Sequence, residues 1–166
     1  AMLIAAKYII EQKLLPKDMG VLIVVNSAEE GLGNLKGCRQ IMADYDHRIK
    51  EFVTFDDKNG QGVDRAVGSV RYRVAVETEG GHSFSNFGRD NAIAKLAALI
   101  AELYTVEVPD FGKTTYNVGT IEGGTSVNTI AQRAEMLYEF RSDDQRGLAY
   151  MQQKFADMIA AHRARG

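Results

Sequence analysis

The sequence predicts an α/β protein in two parts: a layered α/β part over residues 1–65, then a ferredoxin-like β-α-β-β-α part over 66–166 that lacks its last strand. Three observations predict it. An unbroken apolar run at residues 21–25 has the pattern of a parallel strand covered on both faces. A polar, Gly-rich stretch at 56–62 separates that region from the rest of the chain. Beyond it, Val70, Tyr72, Val74 and Val76 alternate with Arg71, Arg73 and Glu77, the pattern of an antiparallel strand with one wet face.

The elements run in order. Residues 2–15 form a helix closed by Pro16, and Leu3, Ile4, Ile9, Ile10, Leu14 and Leu15 spread apolar surface round most of it. Residues 19–26 are a buried strand. Residues 34–46 form a helix with Leu35, Cys38, Ile41, Met42 and Tyr45 on one face, and 51–55 a second short strand. This opening third is half of a layered α/β domain. After the strand at 70–77, a helix over 90–104 carries Ile93, Leu96, Ala97, Ile100 and Leu103 as its stripe. Strands come next at 116–121 and 134–141, the latter with Ala134, Met136, Tyr138 and Phe140 inward. A helix over 144–162 buries Leu148, Met151, Phe155, Met158 and Ile159. A ferredoxin-like sheet needs one more strand than this order supplies.

Composition excludes several classes. The 166 residues are 45% hydrophobic and 25% charged, with a net charge of −2, which offers no basic field for nucleic acid. No exposed aromatic pair with basic flanks marks an RNA-binding sheet. No apolar run reaches the roughly 18 residues of a membrane helix. The single cysteine, Cys38, rules out an intramolecular disulfide and a Cys-rich zinc site. Without a charged n-region and cleavage site at the start, a cytoplasmic location is expected.

Four segments could carry chemistry. Glu29-Glu30 comes directly after the buried strand, at the carboxyl end where α/β sites gather. Near a cation, adjacent carboxylates can divide labour, one binding it and the other moving protons; without one they are an ordinary acidic turn. Asp56 ends the next predicted strand and also opens a turn, a common place for Asp. His82, behind Gly80-Gly81, has little side-chain cover: it either reaches outward as a donor or bonds its own loop. The Gly-rich segment 119–128 exposes N–H groups that can meet an anion, yet it lacks the Lys of a phosphate loop. Arg141 stands 13 residues beyond Asn128, where its fork can hold a carboxylate or simply carry surface charge.

Together these blocks resemble the zinc exopeptidase and deacylase family of acetylornithine deacetylase, succinyl-diaminopimelate desuccinylase, peptidase T and carboxypeptidase G. The matching residues are Ser27-Ala28-Glu29-Glu30-Gly31-Leu32-Gly33 with 34–37, the block 66–74, Gly80-Gly81-His82-Ser83, Phe87-Gly88-Arg89-Asp90-Asn91-Ala92-Ile93, and the segments 116–119, 128–131 and 140–142. The resemblance implies that this is a central fragment: part of the catalytic domain joined to the dimerisation (lid) domain. It implies Glu29 as general base, Glu30 as a zinc ligand and Asp56 as a further ligand, with Asp57 as the fallback. His82 becomes a lid histidine that enters the partner subunit's site and polarises the scissile carbonyl. Asn128 and Arg141 become substrate-binding lid residues. The implied reaction is two-zinc hydrolysis of a peptide or N-acyl amino acid, with cobalt or manganese as alternative metals, by a homodimer paired through the lid.

The family's His-x-Asp motif and bridging Asp have no counterpart here, nor has its further His ligand. A catalytic zinc takes about three protein ligands, so this chain is expected to be inactive alone. The alternative reading is a non-catalytic dimerisation or binding module.

Overall fold

The computed structural model describes residues 2–56, 60, 62–63 and 66–165. It divides into two compact units, Ala1–Gly62 and Val63–Gly166. Among the described residues no helix is long and apolar enough to cross a membrane.

In the first unit, helix α1 spans Met2–Glu11 and α2 spans Lys36–Tyr45, with short 3-10 turns at Gly31–Gly33 and Asp46–Arg48. The strands expected at 19–26 and 51–55 are not formed: both segments carry no strand pairing among the described residues. The reason is physical. An isolated extended segment cannot satisfy its own N–H and C=O groups, and an apolar pattern calls for neighbours without supplying them. Accordingly Val21, Leu22, Val25, Phe52, Val53 and Phe55 are exposed. Helix α1 ends at Glu11, short of Pro16, and buries only Ala6 among its described residues.

The second unit is built on a three-stranded antiparallel sheet. Strands β1 (Gly68–Glu77), β3 (Thr114–Gly123) and β5 (Arg133–Ser142) lie in the order β1-β5-β3, so the last strand in sequence is central. A two-residue pair, β2 (Gly81–His82) with β4 (Thr129–Ile130), forms a small second sheet. Helices α3 (Ala92–Leu103) and α4 (Gln145–Ala164) complete a β-α-β-β-α order. Asn91 caps α3 by accepting from the Ile93 and Ala94 N–H groups, and Asp144 caps α4 by accepting from Arg146 N–H.

Alternation along β5 decides which face is dry. Ala134, Met136, Tyr138 and Phe140 are buried, opposite Val76, Val74, Tyr72 and Val70 of β1. Leu96, Leu99 and Leu103 of α3 and Met151 and Phe155 of α4 close the core, with the Tyr138 and Phe155 rings stacked at 5.0 Å. Of the expected α3 stripe Leu96, Ile100 and Leu103 pack in the core, while Ile93 is 40% exposed and Ala97 is exposed, their places being taken by Ala92 and Leu99. A helix this apolar all round offers two stripes, and contact with the sheet selects one. The opposite face of the sheet is a lattice of ion pairs: Arg71–Glu139 at 3.1 Å, Arg73–Glu135 at 3.0 Å, and Arg133 with both Glu77 and Glu135.

The edge of β1 away from β5 borders a groove of about 790 Å³, lined by Tyr72, Val74 and Val76 with Leu99, Phe155 and Ile159.

Phe140→Ala should cost about 3–5 kcal/mol in urea unfolding, the usual toll of emptying an aromatic core position. The Tyr138 hydroxyl is buried with no hydrogen-bond partner among the described residues, and burial pushes its pKa up to about 12. Its folded value exceeds the unfolded one, so the contribution is intact below pH 10 and disappears as pH rises towards 12. Tyr138→Phe should therefore leave neutral-pH stability unchanged or raise it by about 1 kcal/mol. The same variant should unfold less steeply than the wild type in an alkaline titration monitored by circular dichroism.

Candidate functional site

The first candidate cluster is the Glu29-Glu30 turn. Its backbone is tightly wound. The carbonyls of Ala28, Glu29 and Glu30 accept from Lys36, Leu35 and Gly33 N–H at 3.0, 3.1 and 3.0 Å. Ala28 is left-handed at φ 59°, an uncommon conformation for a residue with a Cβ. A Cβ at Gly33 would lie 2.5 Å from the Ala28 carbonyl oxygen, so this turn can close only over glycine. Asn26 Nδ2 donates to Cys38 Sγ at 3.0 Å, tying the incoming segment to α2. The result is a pair of exposed glutamates on a closed backbone turn just ahead of α2.

Asp56 is also exposed, and Asp57 lies outside the described residues. Among the described residues no three of His, Cys, Asp or Glu come close enough to hold a metal ion. Glu29, Glu30 and Asp56 therefore do not close a zinc site by themselves.

The second cluster is the His82 turn. Gly81 sits at φ 147°, and a Cβ there would meet the Asn86 side chain at 2.8 Å. Asn86 Oδ1 accepts from His82 N–H at 2.9 Å, and the His82 carbonyl accepts from Asn86 N–H at 2.9 Å. Arg89 Nη1 donates to the Gly80 carbonyl at 3.1 Å. His82 Nδ1 accepts from the N–H groups of Phe84 and Ser85 at 3.3 and 3.4 Å. In neutral imidazole one ring nitrogen accepts and the other carries the proton. The turn thus sets Nε2–H as the donor that His82 presents.

Pairing of β2 with β4 places His82 opposite Thr129, and Ser83 N–H donates to the Asn128 carbonyl at 3.0 Å. Ser126 Oγ donates to Asn128 Oδ1 at 2.7 Å, which leaves the Asn128 amide nitrogen to donate elsewhere. Two outward donors, His82 Nε2–H and Asn128 Nδ2–H, so belong to one ordered tip. Donors fixed beforehand in this way can polarise a carbonyl without reorganising. The Gly-rich segment expected to meet an anion borders a cleft of about 450 Å³ with Gly81, Gly124, Thr125 and Arg133 among its lining.

Arg141 is elsewhere. It lies at the far end of β5, opposite Ser69 and Thr115, roughly 27 Å along the strand from Arg133 beside β4. Its guanidinium donates to both Glu139 oxygens, at 2.9 and 3.2 Å, and Arg71 shares that carboxylate. Arg141 first, with Arg71, holds the Glu139 carboxyl below the usual carboxylate range. The structure therefore joins His82 to Asn128 and separates both from Arg141.

Sequence reasoning missed the support around the tip. Ser126 and Asn86 orient the two donors, and Phe84 and Phe87 stand 88% and 91% exposed beside His82. Two Phe in a loop otherwise made of Gly, Ser and Asn were the available signal.

The comparisons with known proteins fall on the same parts. The peptidase dimerisation domain of the M20 family matches residues 65–166. A peptidase M20 domain-containing protein of Schizosaccharomyces pombe is 29% identical over 128 residues, covering 75% of this chain and 31% of that protein. The fold is similar to that of an aminobenzoyl-glutamate utilization protein from Klebsiella pneumoniae, with a TM-score of 0.55 at 19% identity, over 59% of this chain and 25% of that one. It is similar to a tripeptidase from Staphylococcus aureus, with a TM-score of 0.52 at 19% identity, over 60% of this chain and 26% of the other. A hydantoinase/carbamoylase-family amidase from Burkholderia phymatum gives 0.53 at 21%, over 57% and 24%. The chain spans about a third of the curated relative and about a quarter of these structures. With well over half of its residues matched by the dimerisation domain, the chain belongs to the M20 peptidase family.

Proposed function

We propose that this chain is the central part of a metal-dependent hydrolase of peptide or N-acyl amide bonds, catalytically incomplete alone. The observation that carries the reading is the ordered tip where His82 and Asn128 present two donors on a dimerisation domain. The tripeptidase and amidase among its structural neighbours fit an amide-bond substrate.

In this reading the donors bind the scissile carbonyl oxygen and stabilise the charge that develops there. Glu29 takes the proton of the attacking water and passes it to the leaving nitrogen. Glu30 and Asp56 are two of the ligands of a zinc pair, with cobalt or manganese as alternatives, and further ligands come from other parts of a longer polypeptide. When bound, such a metal pair supplies Lewis acidity and acidifies water.

Geometry adds a condition. His82 with Asn128 and Arg141 stand at opposite ends of the sheet, too far apart to hold one small amide. If both ends bind substrate, they serve different active sites, which a two-fold pair of subunits provides. The domain boundary in this reading falls at residues 65/66, and a fourth strand beyond α4 seats in the groove beside β1, completing the ferredoxin-like sheet.

A second reading, a non-catalytic dimerisation module, is favoured by one observation: no metal-holding cluster exists among the described residues. Extending the reading frame upstream separates the two. A His-x-Asp motif there supports the enzyme, and a stop codon ahead of Met2 supports the module.

The purified 166-residue chain, given zinc and assayed on dipeptides, tripeptides and N-acyl amino acids, should stay at background. Metal-dependent turnover by this chain would refute its incompleteness. In an extended, active polypeptide, Glu29→Gln should lower kcat by about 10²–10⁴-fold. His82→Ala should lower kcat by about 10²–10³-fold with KM little changed, as loss of a transition-state donor does.

A further inference from the structure

At the far end of β5 one carboxylate is shared by two guanidiniums. Glu139 Oε1 accepts from Arg141 Nε at 2.9 Å. Glu139 Oε2 accepts from Arg141 Nη2 at 3.2 Å and from Arg71 Nε at 3.1 Å. The two arginines reach it by different routes. Arg71 stands directly across the β1–β5 pairing, and Arg141 follows two residues along β5, on the same face as Glu139. The three side chains step from cover towards water: Arg71 is 21% exposed, Glu139 27% and Arg141 47%.

The order of that series matters. An arginine at a strand end carries a long side chain with many rotamers, and its fork binds a carboxylate well only when its plane is set. A side-on pair of bonds through Nε and Nη2 sets that plane, because both contacts must lie in it. The anchor is held in turn. Arg71, the most covered of the three, fixes Glu139 from across the ladder. Arg141 and Arg71 keep the Glu139 carboxyl below the usual carboxylate range, so the anchor stays charged at neutral pH. The cross-strand neighbours of Arg141 are Ser69 and Thr115, both small, so its head is not walled in by bulky side chains there.

We infer that Glu139, braced by Arg71, is a positioning residue for the Arg141 fork and aims it at a substrate carboxylate. This rests on the amide-hydrolase reading, in which Arg141 binds substrate, and adds how that fork is oriented before the substrate arrives. Glu139 itself touches no substrate in this scheme. It acts through Arg141 alone.

Two measurements test it. In the 166-residue chain, NMR relaxation at Arg141 Nε should give an order parameter above about 0.6, and Glu139→Gln should bring it below that. In an extended, active polypeptide, Glu139→Gln should raise KM about 10-fold for an N-acyl amino acid with a free carboxylate, with kcat little changed. The matching substrate with its carboxylate converted to an amide should show no such rise. Charge alone predicts the opposite sign, since removing a negative group beside the fork draws an anion in more tightly. Glu139→Asp, which keeps the carboxylate, should recover most of the lost affinity. An unchanged or lower KM for the free acid in Glu139→Gln overturns the positioning role. So does an Arg141 side chain equally mobile with and without the Glu139 carboxylate. A different result marks failure of the reading beneath: an extended wild type that hydrolyses no amide, or Arg141→Ala with unchanged KM for the free acid, overturns the substrate role of Arg141 and the proposal with it.

Discussion

Burial of β5 is the constraint on which the second unit depends. It is the last strand in sequence but the middle one in space, so β1 and β3 meet only through it. Its even-numbered side chains are the floor on which α3 and α4 rest, and its odd-numbered ones tie the wet face together through Arg133, Glu135 and Glu139. β1 is thus fixed twice, by apolar contact on one side and by charge on the other. A register slip of one residue would turn Phe140 out and Glu139 in.

That strand also sets the layout of the candidate chemistry. The start of β5 lies next to β4, which pairs with β2 and so carries the His82 turn. The end of β5 carries Arg141. Groups that looked like one substrate-binding set along the sequence are therefore distributed over two ends of a rigid sheet.

Much of the second unit was legible in the sequence because its signals are periodic. The Val-Tyr-Val-Val alternation of β1 and the Met136, Tyr138, Phe140 set of β5 needed no knowledge of partners. The edge of the α3 stripe was misplaced because Ile93 and Ala97 are as apolar as Ala92 and Leu99, and only the sheet distinguishes them. The first unit was less legible: its apolar runs read as strands, yet a strand exists only with a paired neighbour, and neither run finds one among the described residues. For the site, His82 and Asn128 could be nominated separately. Their union could not, since it rests on a two-residue pairing between distant parts of the chain, below any periodic signal. Glu29 and Glu30 stand out by their place after the apolar run, only their roles come from resemblance, and the local turn explains why Gly33 accompanies them.

The outer side of β1, which no described strand pairs, carries a hazard wherever it stands bare, and its own charges temper it. An uncovered strand edge beside an apolar groove is a template for strand-on-strand aggregation in concentrated solution. In-register parallel stacking of identical β1 strands would bring Arg71 over Arg71, Arg73 over Arg73 and Glu77 over Glu77, each a like-charge clash. On a bare edge these residues would act as gatekeepers against fibre-like growth, a service separate from the ion pairs they make within the sheet.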